Sequence, residues 1–388
     1  MKRTIIFLLA ASIIAGYAFA EDVTYTPLVP KNAKAMGMGG VFTSIPTSEF
    51  SFFGNPAAFA AKKASYTIVS VDAWAYVKAT SDNVETLTKI PTYVNDKDYA
   101  SIYGLIPTNG GLGAGLSTSL SAFAGKGLGL GVFVTTDQWL MGKSLPSVAD
   151  TDTEVSAVIG LGVPITFGDR LRLSIGGDLR PFYRLRGENV DVGAVVKGLA
   201  EGSDPDLYAI KTLNAGFGLA LDLGASLELG PFGLGLSIRD IAPKFPVFQG
   251  SLGELMDAFQ NQGGLPKTGD NAAMFLPDLS LGASWKPRFI PGLIEPSLYL
   301  ELQDFLSVTG DNWAGAGSLL NLLHAGGELK LLSLVYLRGG INRGWLSAGA
   351  GVKLFFIDVN ASVFTEELGA LAGDRPRSGL ALQAAFRF

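Results

Sequence analysis

The sequence predicts an all-β fold: a single transmembrane antiparallel β-barrel of about fourteen strands, with an N-terminal hatch, or plug, inside its lumen. Hydrophobic residues make up 48% of the chain and charged residues only 17%. After the leader, however, no uninterrupted apolar run reaches about 18 residues, the length of a membrane helix. Apolar residues instead alternate with small or polar ones over long stretches, which is typical of strands that face lipid on one side and a lumen on the other.

The first twenty residues have the pattern of a secretory signal peptide. Lys2 and Arg3 form a basic start, residues 5–15 are apolar, and Ala18-Phe19-Ala20 is a small-x-small cleavage site. The apolar part is too short to span a bilayer, so we expect cleavage and a mature chain that begins near Glu21. The chain contains no cysteine, which excludes a lipid-anchored cysteine, a disulfide scaffold and cysteine-based chemistry.

Strands are predicted from the period-two pattern. In residues 212–229, leucine, alanine and phenylalanine fill every odd position, whereas glycine and polar or charged residues fill nearly every even one. A helix would spread this pattern around its whole circumference. The predicted strands are 65–78, 110–122, 127–140, 153–167, 170–185, 212–229, 231–241, 276–287, 293–306, 321–331, 333–342, 345–353, 356–366 and 377–388.

The strand count follows from the connections. Bacterial barrels have even strand numbers, with short turns at one end and longer loops at the other. Fourteen strands preserve this alternation, whereas counting residues 98–106 as a fifteenth would move the later long loops to the wrong end. We therefore interpret 98–109 as an extension of the second strand or as part of the first outer loop. Residues 65–388 form the predicted barrel.

The last strand is amphipathic and ends in an aromatic residue. Phe386 and Phe388 close the alternating stretch "SGLALQAAFRF", which resembles the signal read by the outer-membrane barrel assembly machinery. That machinery and outer-membrane lipids are therefore expected partners, and a monomer in the outer membrane of a diderm bacterium is the expected state.

Residues 21–64 do not alternate, although they are apolar and rich in glycine and proline. Such a segment is expected inside the barrel rather than free in the periplasm. Glycines would let the backbone turn against the wall, and proline would bias the preceding residue toward an extended conformation. The predicted hatch and gating residues are Gly37, Gly39, Gly40, Phe52, Phe53, Asn55, Pro56, Ala57 and Phe59.

This segment resembles a known family. The motif "AMGMGGVF" at 35–42, followed by Asn55-Pro56-Ala57, is similar to the hatch of FadL-type outer-membrane transporters of long-chain fatty acids and other hydrophobic compounds. The resemblance implies a fourteen-stranded barrel with an N-terminal hatch. Two departures are Ala58, where glycine is usual, and Ser48-Glu49, where an acidic-polar pair is usual. Stretches such as "HAGGELKL" and "TEELG" near the C-terminus look more like the related PorV-type branch.

Two predicted outer loops contain apolar residues at helical spacing, and Ser251 with Glu254 forms a capping box. We expect either a hydrophobic ligand-capture surface, as the resemblance implies, or lid helices packed on the barrel rim. The candidate capture residues are Val192, Val195, Val196, Leu199, Leu252, Leu255, Met256 and Phe259.

Charged residues on the predicted lumen faces must be paired or solvated, and we expect a salt-bridge lattice that holds hatch and wall together. These charges are Arg170, Arg172, Asp178, Arg180, Asp222, Glu228, Arg239, Glu301, Glu328, Arg338, Lys353, Asp358 and Arg387.

The sequence favours no catalytic, cofactor or metal site. The single histidine, His324, shares the lumen face with Glu328 and is interpreted as structural. The acidic stretch "DTDTE" at 150–154 lacks the spacing of a calcium loop and is interpreted as a solvated turn. A formal net charge of -5 without a basic patch gives no support for nucleic-acid binding.

Three functions remain open from the sequence, none of them enzymatic. The first is a passive uptake channel for hydrophobic small molecules such as long-chain fatty acids. The second is a PorV-like scaffold or shuttle of a secretion or surface-assembly system. The third is an aqueous porin, which an apolar hatch disfavours. The first accounts best for the hatch and the apolar loops.

Overall fold

The structure of the chain is a computed structural model. It describes residues 23–25, 27–45, 47, 50–76, 92–93, 96, 98, 111–141, 148–168, 170–203, 206–211, 213–242, 244–261, 272–287, 289–308, 316–369 and 371–388. The predicted signal peptide and nearly all of 98–109 lie outside these ranges. No helix of the described part is long and apolar enough to cross a membrane.

Seventeen strands are present in the described ranges. They are β1 Val23–Tyr25, β2 Ser65–Tyr76, β3 Gly111–Gly125, β4 Leu128–Met141, β5 Val148–Phe167, β6 Leu171–Asp191, β7 Leu213–Leu229, β8 Phe232–Ile241, β9 Phe245–Gly250, β10 Ala272–Phe275, β11 Asp278–Trp285, β12 Ile294–Leu302, β13 Leu323–Leu331, β14 Val335–Asn342, β15 Trp345–Leu354, β16 Ile357–Glu367 and β17 Pro376–Arg387.

Fourteen of these strands close into one antiparallel barrel, β2 to β8 followed by β11 to β17. The last strand, β17, pairs with the first barrel strand, β2, with Leu382 opposite Ala73. Strand β8 pairs with β11, with Leu236 opposite Leu281. Every barrel strand is thus hydrogen-bonded on both sides, so no edge is left open. The predicted fold class and strand number are confirmed.

Connections of two different kinds define the two ends of the barrel. At one end, which we call the turn rim, short connections such as 126–127 and 230–231 join the strands. At the other end, the loop rim, the connections include 192–212 and 242–277. The two chain ends of the barrel meet at the turn rim, where Tyr66 and Phe388 exchange backbone hydrogen bonds of 3.1 and 2.9 Å.

Several predicted boundaries are wrong by a few residues. β5 begins at Val148 instead of 153, and β6 continues to Asp191 instead of 185. The sequence "DTDTE" therefore lies within a strand rather than in a turn. Two of its carboxylates are neutralised from the neighbouring strand, since Arg184 Nε donates to Asp152 over 2.7 Å and Arg180 donates to Glu154 over 2.9 Å. This cross-strand pairing extends the ladder into a segment that looks like a polar loop in the sequence.

The connection 242–277 forms a small sheet that the sequence did not predict. β9 pairs with β7 and β10, and β1 pairs in parallel with β10. Phe245 of β9 and Phe275 of β10 pack on Phe182 of the wall, with ring centroids 5.2 Å from it. The chain thus begins its described course at the loop rim.

The wall has an apolar outer and a polar inner face. Outward side chains such as Ile159, Leu161 and Leu382 are about 60% exposed, whereas inward ones such as Arg180 and Asp222 are buried. A lipid bilayer is the solvent that matches such an outer face. The architecture is therefore that of an outer-membrane β-barrel.

Candidate functional site: the N-terminal segment inside the barrel

The described part of residues 27–64, which we call the N-terminal segment, runs from the loop rim to the turn rim along the inner wall. Helix α1, Ala33–Gly37, comes first. Asn32 caps it by accepting hydrogen bonds from the N–H groups of Lys34 and Ala35 at 3.0 and 3.3 Å. The same side chain donates to Asp72 of β2 over 2.9 Å, so the cap also fixes the helix to the wall.

Two glycines in the left-handed region end this helix, Gly39 at φ 75° and Gly40 at φ 80°. The wall leaves no room for a side chain at the first of them, because a Cβ there would lie 2.5 Å from the carbonyl oxygens of Ala325 and Ile341. The carbonyl of Gly39 contacts Nδ1 of buried His324 at 2.7 Å. The histidine thus holds the turn, in line with a structural role.

Glu301 of β12 anchors the next stretch. Its carboxylate accepts hydrogen bonds from the backbone N–H of Phe42 at 3.0 Å and of Ser44 at 2.7 Å, and from the Ser44 hydroxyl at 2.7 Å. The glutamate is 1% exposed. Because these three hydrogen bonds go to one buried side chain of the wall, Glu301 fixes the backbone of the segment at this point.

Asn55 forms the bend of the segment. Its amide donates to the carbonyl oxygens of Thr43 at 3.1 Å and of Ala225 in β7 at 3.0 Å, and its side-chain oxygen accepts from the N–H of Ala57 at 3.0 Å. The side chain is 2% exposed. Asn55 therefore caps the following 3-10 helix, Pro56–Ala60, and ties two parts of the segment to the wall.

A row of wall glycines provides the seat for this 3-10 helix. Gly162, Gly176 and Gly224 lie side by side in β5, β6 and β7 as directly paired residues. A Cβ on them would lie 2.4 Å from Ala60 N, 2.2 Å from Pro56 O and 2.1 Å from the Asn55 side-chain oxygen, respectively. The backbone of the segment thus lies directly on the backbone of the wall, which only glycine permits.

Phe59 fills a second glycine notch. Its ring lies 2.0 and 2.2 Å from the positions that a Cβ on Gly129 and on Gly160 would take, and the side chain is fully buried. Gly129 therefore accommodates a side chain of the segment. The pairing of β3 with β4 continues through this region, with one bulge between Leu120 and Phe123.

The other two predicted hatch phenylalanines meet Phe133 of β4. The ring centroids of Phe52 and Phe53 each lie 4.9 Å from that of Phe133. Beside this cluster, a cavity of about 80 Å³ separates the segment from the wall strands β2, β3 and β17. Its lining combines Phe42, Phe50, Phe52, Phe53 and Phe133 with Ser, Thr and amide side chains and with the charged residues Asp72 and Arg387.

Wall arginines also reach the segment. Arg239 donates to the carbonyl of Phe53, and Arg172 donates to the carbonyl of Ala60. Arg180 lies behind them in a buried network, where it donates to Glu154 over 2.9 Å and also bonds Asp240. Among the charges expected in the lumen, Arg170 is instead exposed at the turn rim, whereas Lys353 is partly exposed at this rim and pairs with the buried Asp358 at 3.8 Å.

The predicted loop helices are present as α2, Gly193–Ala200, and α3, Leu252–Gln260. Val192, Val196 and Leu255 are buried in one shared core that also contains Val190 and Leu213. Val195 is buried too, Leu252 packs at the edge of the core, and Met256 is 40% exposed. The side chains of Leu199 and Phe259 lie outside the described part. The apolar faces thus pack together on the rim, and a capture surface there stays a prediction.

The terminal aromatics form an exposed cluster at the turn rim. The ring centroid of Phe388 lies 5.2 Å from Phe386 and 5.1 Å from Phe356, and Phe388 is 58% exposed. The predicted assembly-signal residues thus lie together on the outer side, and their recognition by the assembly machinery stays a prediction.

Comparison with known proteins gives structural matches only, since no family model and no curated protein matches the sequence. A Pseudomonas aeruginosa FadL homologue is 11% identical with a TM-score of 0.43, covering 94% of this chain and 99% of that chain. The Ralstonia pickettii toluene transporter TbuX is 11% identical with a TM-score of 0.47, covering 93% and 98%. The CymD monoaromatic hydrocarbon channel is 10% identical with a TM-score of 0.46, covering 94% and 98%. One of these three structures is thus that of a FadL homologue.

Sequence reasoning missed the glycine seat and the role of Phe133. The signal was present, because glycines recur at lumen-facing positions of consecutive strands, such as Gly162, Gly176 and Gly224. Their meaning depends on strand register, which places them side by side. Glu301 was recognised as an inward charge, but its contacts with the backbone of the segment required the fold.

Proposed function

We propose that the chain is an outer-membrane channel for the passive uptake of hydrophobic small molecules, with the N-terminal segment as its hatch. The observation that carries this proposal is the aromatic-lined cavity between Phe52, Phe53 and the wall. A cavity with aromatic rings on one side, inside an otherwise polar lumen, suits a largely apolar solute rather than ions or sugars. Long-chain fatty acids are one ligand class that fits the proposal.

The way the segment is held favours a movable stopper over a permanent wall element. Its anchors are hydrogen bonds between backbone groups and side chains such as Glu301 and Asn55, and its bend rests on wall glycines, two of which form the notch for Phe59. Each anchor is worth about 1–3 kcal/mol. A partial shift of the segment, helix α1 included, would release a few of them while the remaining ones hold the segment in the lumen.

Passage of a solute requires such a shift. The cavity of about 80 Å³ is smaller than the roughly 150 Å³ cavity that holds one benzene molecule in an engineered protein interior. A hydrophobic solute would first displace Phe52 and Phe53 from Phe133 and then pass between the segment and β2–β4. Water and ions gain little from this route, because it is lined with aromatic rings on one side.

Equilibrium binding to the purified protein tests the proposal. We expect saturable binding of a labelled long-chain fatty acid or of toluene, and weaker binding in Phe133→Ser, which removes the ring shared by Phe52 and Phe53. Phe356→Ser, on the exposed outer cluster, is the matched control and should bind like the parent. Absence of saturable binding for several lipophilic ligands would contradict the proposal, and rapid liposome swelling with small sugars would favour an open porin.

A further inference from the structure

The connections at the turn rim are apolar on one side of the barrel. Four neighbouring connections, β7–β8, β11–β12, β13–β14 and β15–β16, follow one another around this rim. Each exposes a large apolar side chain at its tip or at the strand end beside it. These six residues, which we call the apolar arc, are Phe232, Phe289, Ile290, Leu293, Leu332 and Phe355. Phe289, Leu332 and Phe355 are 69, 63 and 90% exposed. Apolar exposure of this extent marks a surface that contacts something other than water.

The other side of the same rim is charged. Four exposed basic residues, which we call the charged arc, lie before β2, between β3 and β4, and between β5 and β6: Lys62, Lys63, Lys126 and Arg170. Residue 169 of this side and residue 288 of the apolar side lie outside the described part. The two arcs divide the rim, so the partner of the apolar arc does not cover the whole of it.

The apolar arc continues the lipid-facing wall. Near this arc the outer faces of the strands present side chains such as Leu234, Leu337 and Val359, and they carry no charge in the described residues. The charges of these strand ends lie on the lumen faces and are paired. Lys330 bonds Glu295 at 2.9 Å, and Lys353 lies 3.8 Å from Asp358. The apolar surface thus runs without a break from the wall onto the tips.

Leu332 and Phe355 occupy a turn conformation that favours other residues. Their φ angles are 52° and 54°, in the left-handed region that disfavours bulky side chains. Tight hairpins prefer Asn, Asp or Gly there, and this chain has a glycine in the turns 126–127 and 343–344, at φ 94° and 88°. The apolar tips stand against the preference of the turn, which points to a contact that these side chains make.

The strands on this side are too short to span the lipid by themselves. β11 and β14 have eight residues each, which rise about 21 Å along the membrane normal at the usual 3.4 Å per residue and a tilt of about 40°. The apolar band of outer-membrane barrels is about 25 Å tall. β5, β6 and β7 have 17 to 21 residues and rise about 44 Å or more. The apolar tips supply the missing height on the short side.

We propose that the apolar arc is immersed in the acyl chains of the periplasmic phospholipid leaflet, while the charged arc lies at its headgroups. The turn end of such barrels faces the periplasm. The barrel then stands tilted, with the turns of β11–β16 inside the leaflet and those of β2–β6 at its surface. Lipid is the partner that fits, because the arc continues a lipid-facing surface and because basic side chains of the opposite arc attract anionic headgroups.

Depth measurements on single-cysteine variants test this arrangement. The chain contains no cysteine, so Phe355→Cys, Leu332→Cys and the control Lys126→Cys each carry one site for a fluorophore. The labelled full chains are folded into vesicles of phosphatidylethanolamine and phosphatidylglycerol. Spin labels on the acyl chains should quench the fluorophore strongly at positions 355 and 332, and aqueous iodide should quench it weakly there. At position 126 the reverse is expected.

A second pair of variants separates lipid contact from turn strain. Phe355→Asn introduces a residue that suits the left-handed turn but removes the apolar side chain. Ser333→Asn is the matched control, because Ser333 has a φ of 55° and is already polar. In the same vesicles Phe355→Asn should shift the urea midpoint of unfolding to a lower concentration, since an apolar ring no longer lies in lipid. Ser333→Asn should not lower it.

Two results would overturn the proposal. If iodide quenches the fluorophore at positions 355 and 332 as strongly as at position 126, the arc faces water in the membrane-embedded protein and is free to contact a protein instead. If Phe355→Asn has the urea midpoint of the parent or a higher one, the ring makes no stabilising contact with lipid. Neither result depends on the solute that passes through the lumen, so both are distinct from the test of the uptake function.

Discussion

Removal of the Asn55 side chain should open the hatch. In Asn55→Ala the carbonyl of Thr43 and the N–H of Ala57 within the segment lose their partner, and the carbonyl of Ala225 in the wall loses its contact. Only the contact with Ala225 joins the segment to the wall, so the closed state loses the contribution of one buried group left unsatisfied, about 1–3 kcal/mol. Since 1.4 kcal/mol corresponds to a factor of ten, the ratio of open to closed hatch should rise by roughly tenfold.

Conductance in planar bilayers measures this ratio. The parent should be closed to small ions for most of the time, and Asn55→Ala should show frequent openings and faster liposome swelling with small sugars. Asn360→Ala is the matched control. Asn360 is equally buried, but its two hydrogen bonds of 2.9 Å join Arg338 and Gln383 within the wall.

The control should lower the thermal stability of the barrel without opening it. If Asn55→Ala folded into the barrel and conducted no more than the parent or Asn360→Ala, the N-terminal segment would not be the element that closes the lumen.

Three further results are expected. Gly176→Ala should strain the seat of the bend and lower the free energy of unfolding by about 1–3 kcal/mol. Gly339→Ala is the control, because no atom lies within 4 Å of its new Cβ, and it should leave the free energy of unfolding unchanged. Equal melting temperatures of the two variants would contradict the glycine seat. Glu301→Gln should speed hydrogen exchange of the segment's N–H groups, because the amide nitrogen of the new side chain then faces a hydrogen-bond donor of the segment. Unchanged exchange would show that Glu301 does not anchor the segment. Burial lowers the pKa of Lys286, the residue that follows β11, to about 8. Since the pKa of Lys286 is lowered on folding, the free energy of unfolding should rise between pH 8 and about 10.5, the lysine's ordinary value, and this rise should be absent in Lys286→Met.

The barrel could be predicted from the sequence because period-two alternation reports directly which side of a strand faces lipid. Strand ends were less predictable. The acidic start of β5 looks like a loop until Arg184 of the neighbouring strand neutralises Asp152, and this contact depends on register. The strands β1, β9 and β10 have three to six residues, too few for a periodic signal.

The segment was recognisable by composition, whereas its contacts were not. Gly39 and Asn55 could be singled out because each has a known backbone role. The wall residues that they contact, Ile341 and Ala225, lie far away in the sequence. They meet Gly39 and Asn55 only once the barrel closes. The cavity beside Lys286 likewise combines residues from the segment, β7 and the end of β11, which meet only in the closed barrel.

A reversible lock on the segment tests most directly whether it gates uptake. A Cβ on Gly37 would lie 3.4 Å from the Cβ of Ser362 in β16, close to the 3.5–4.5 Å separation of disulfide-linked residues, so Gly37→Cys with Ser362→Cys should link helix α1 to the wall. Uptake of a radiolabelled fatty acid would be measured in a diderm host without its own channel for such compounds. We predict that uptake by the oxidised variant is much slower than by the parent and that reduction restores it. Equal uptake in the oxidised and reduced states would contradict a moving hatch, and uptake no faster than in cells without the chain would contradict the channel itself.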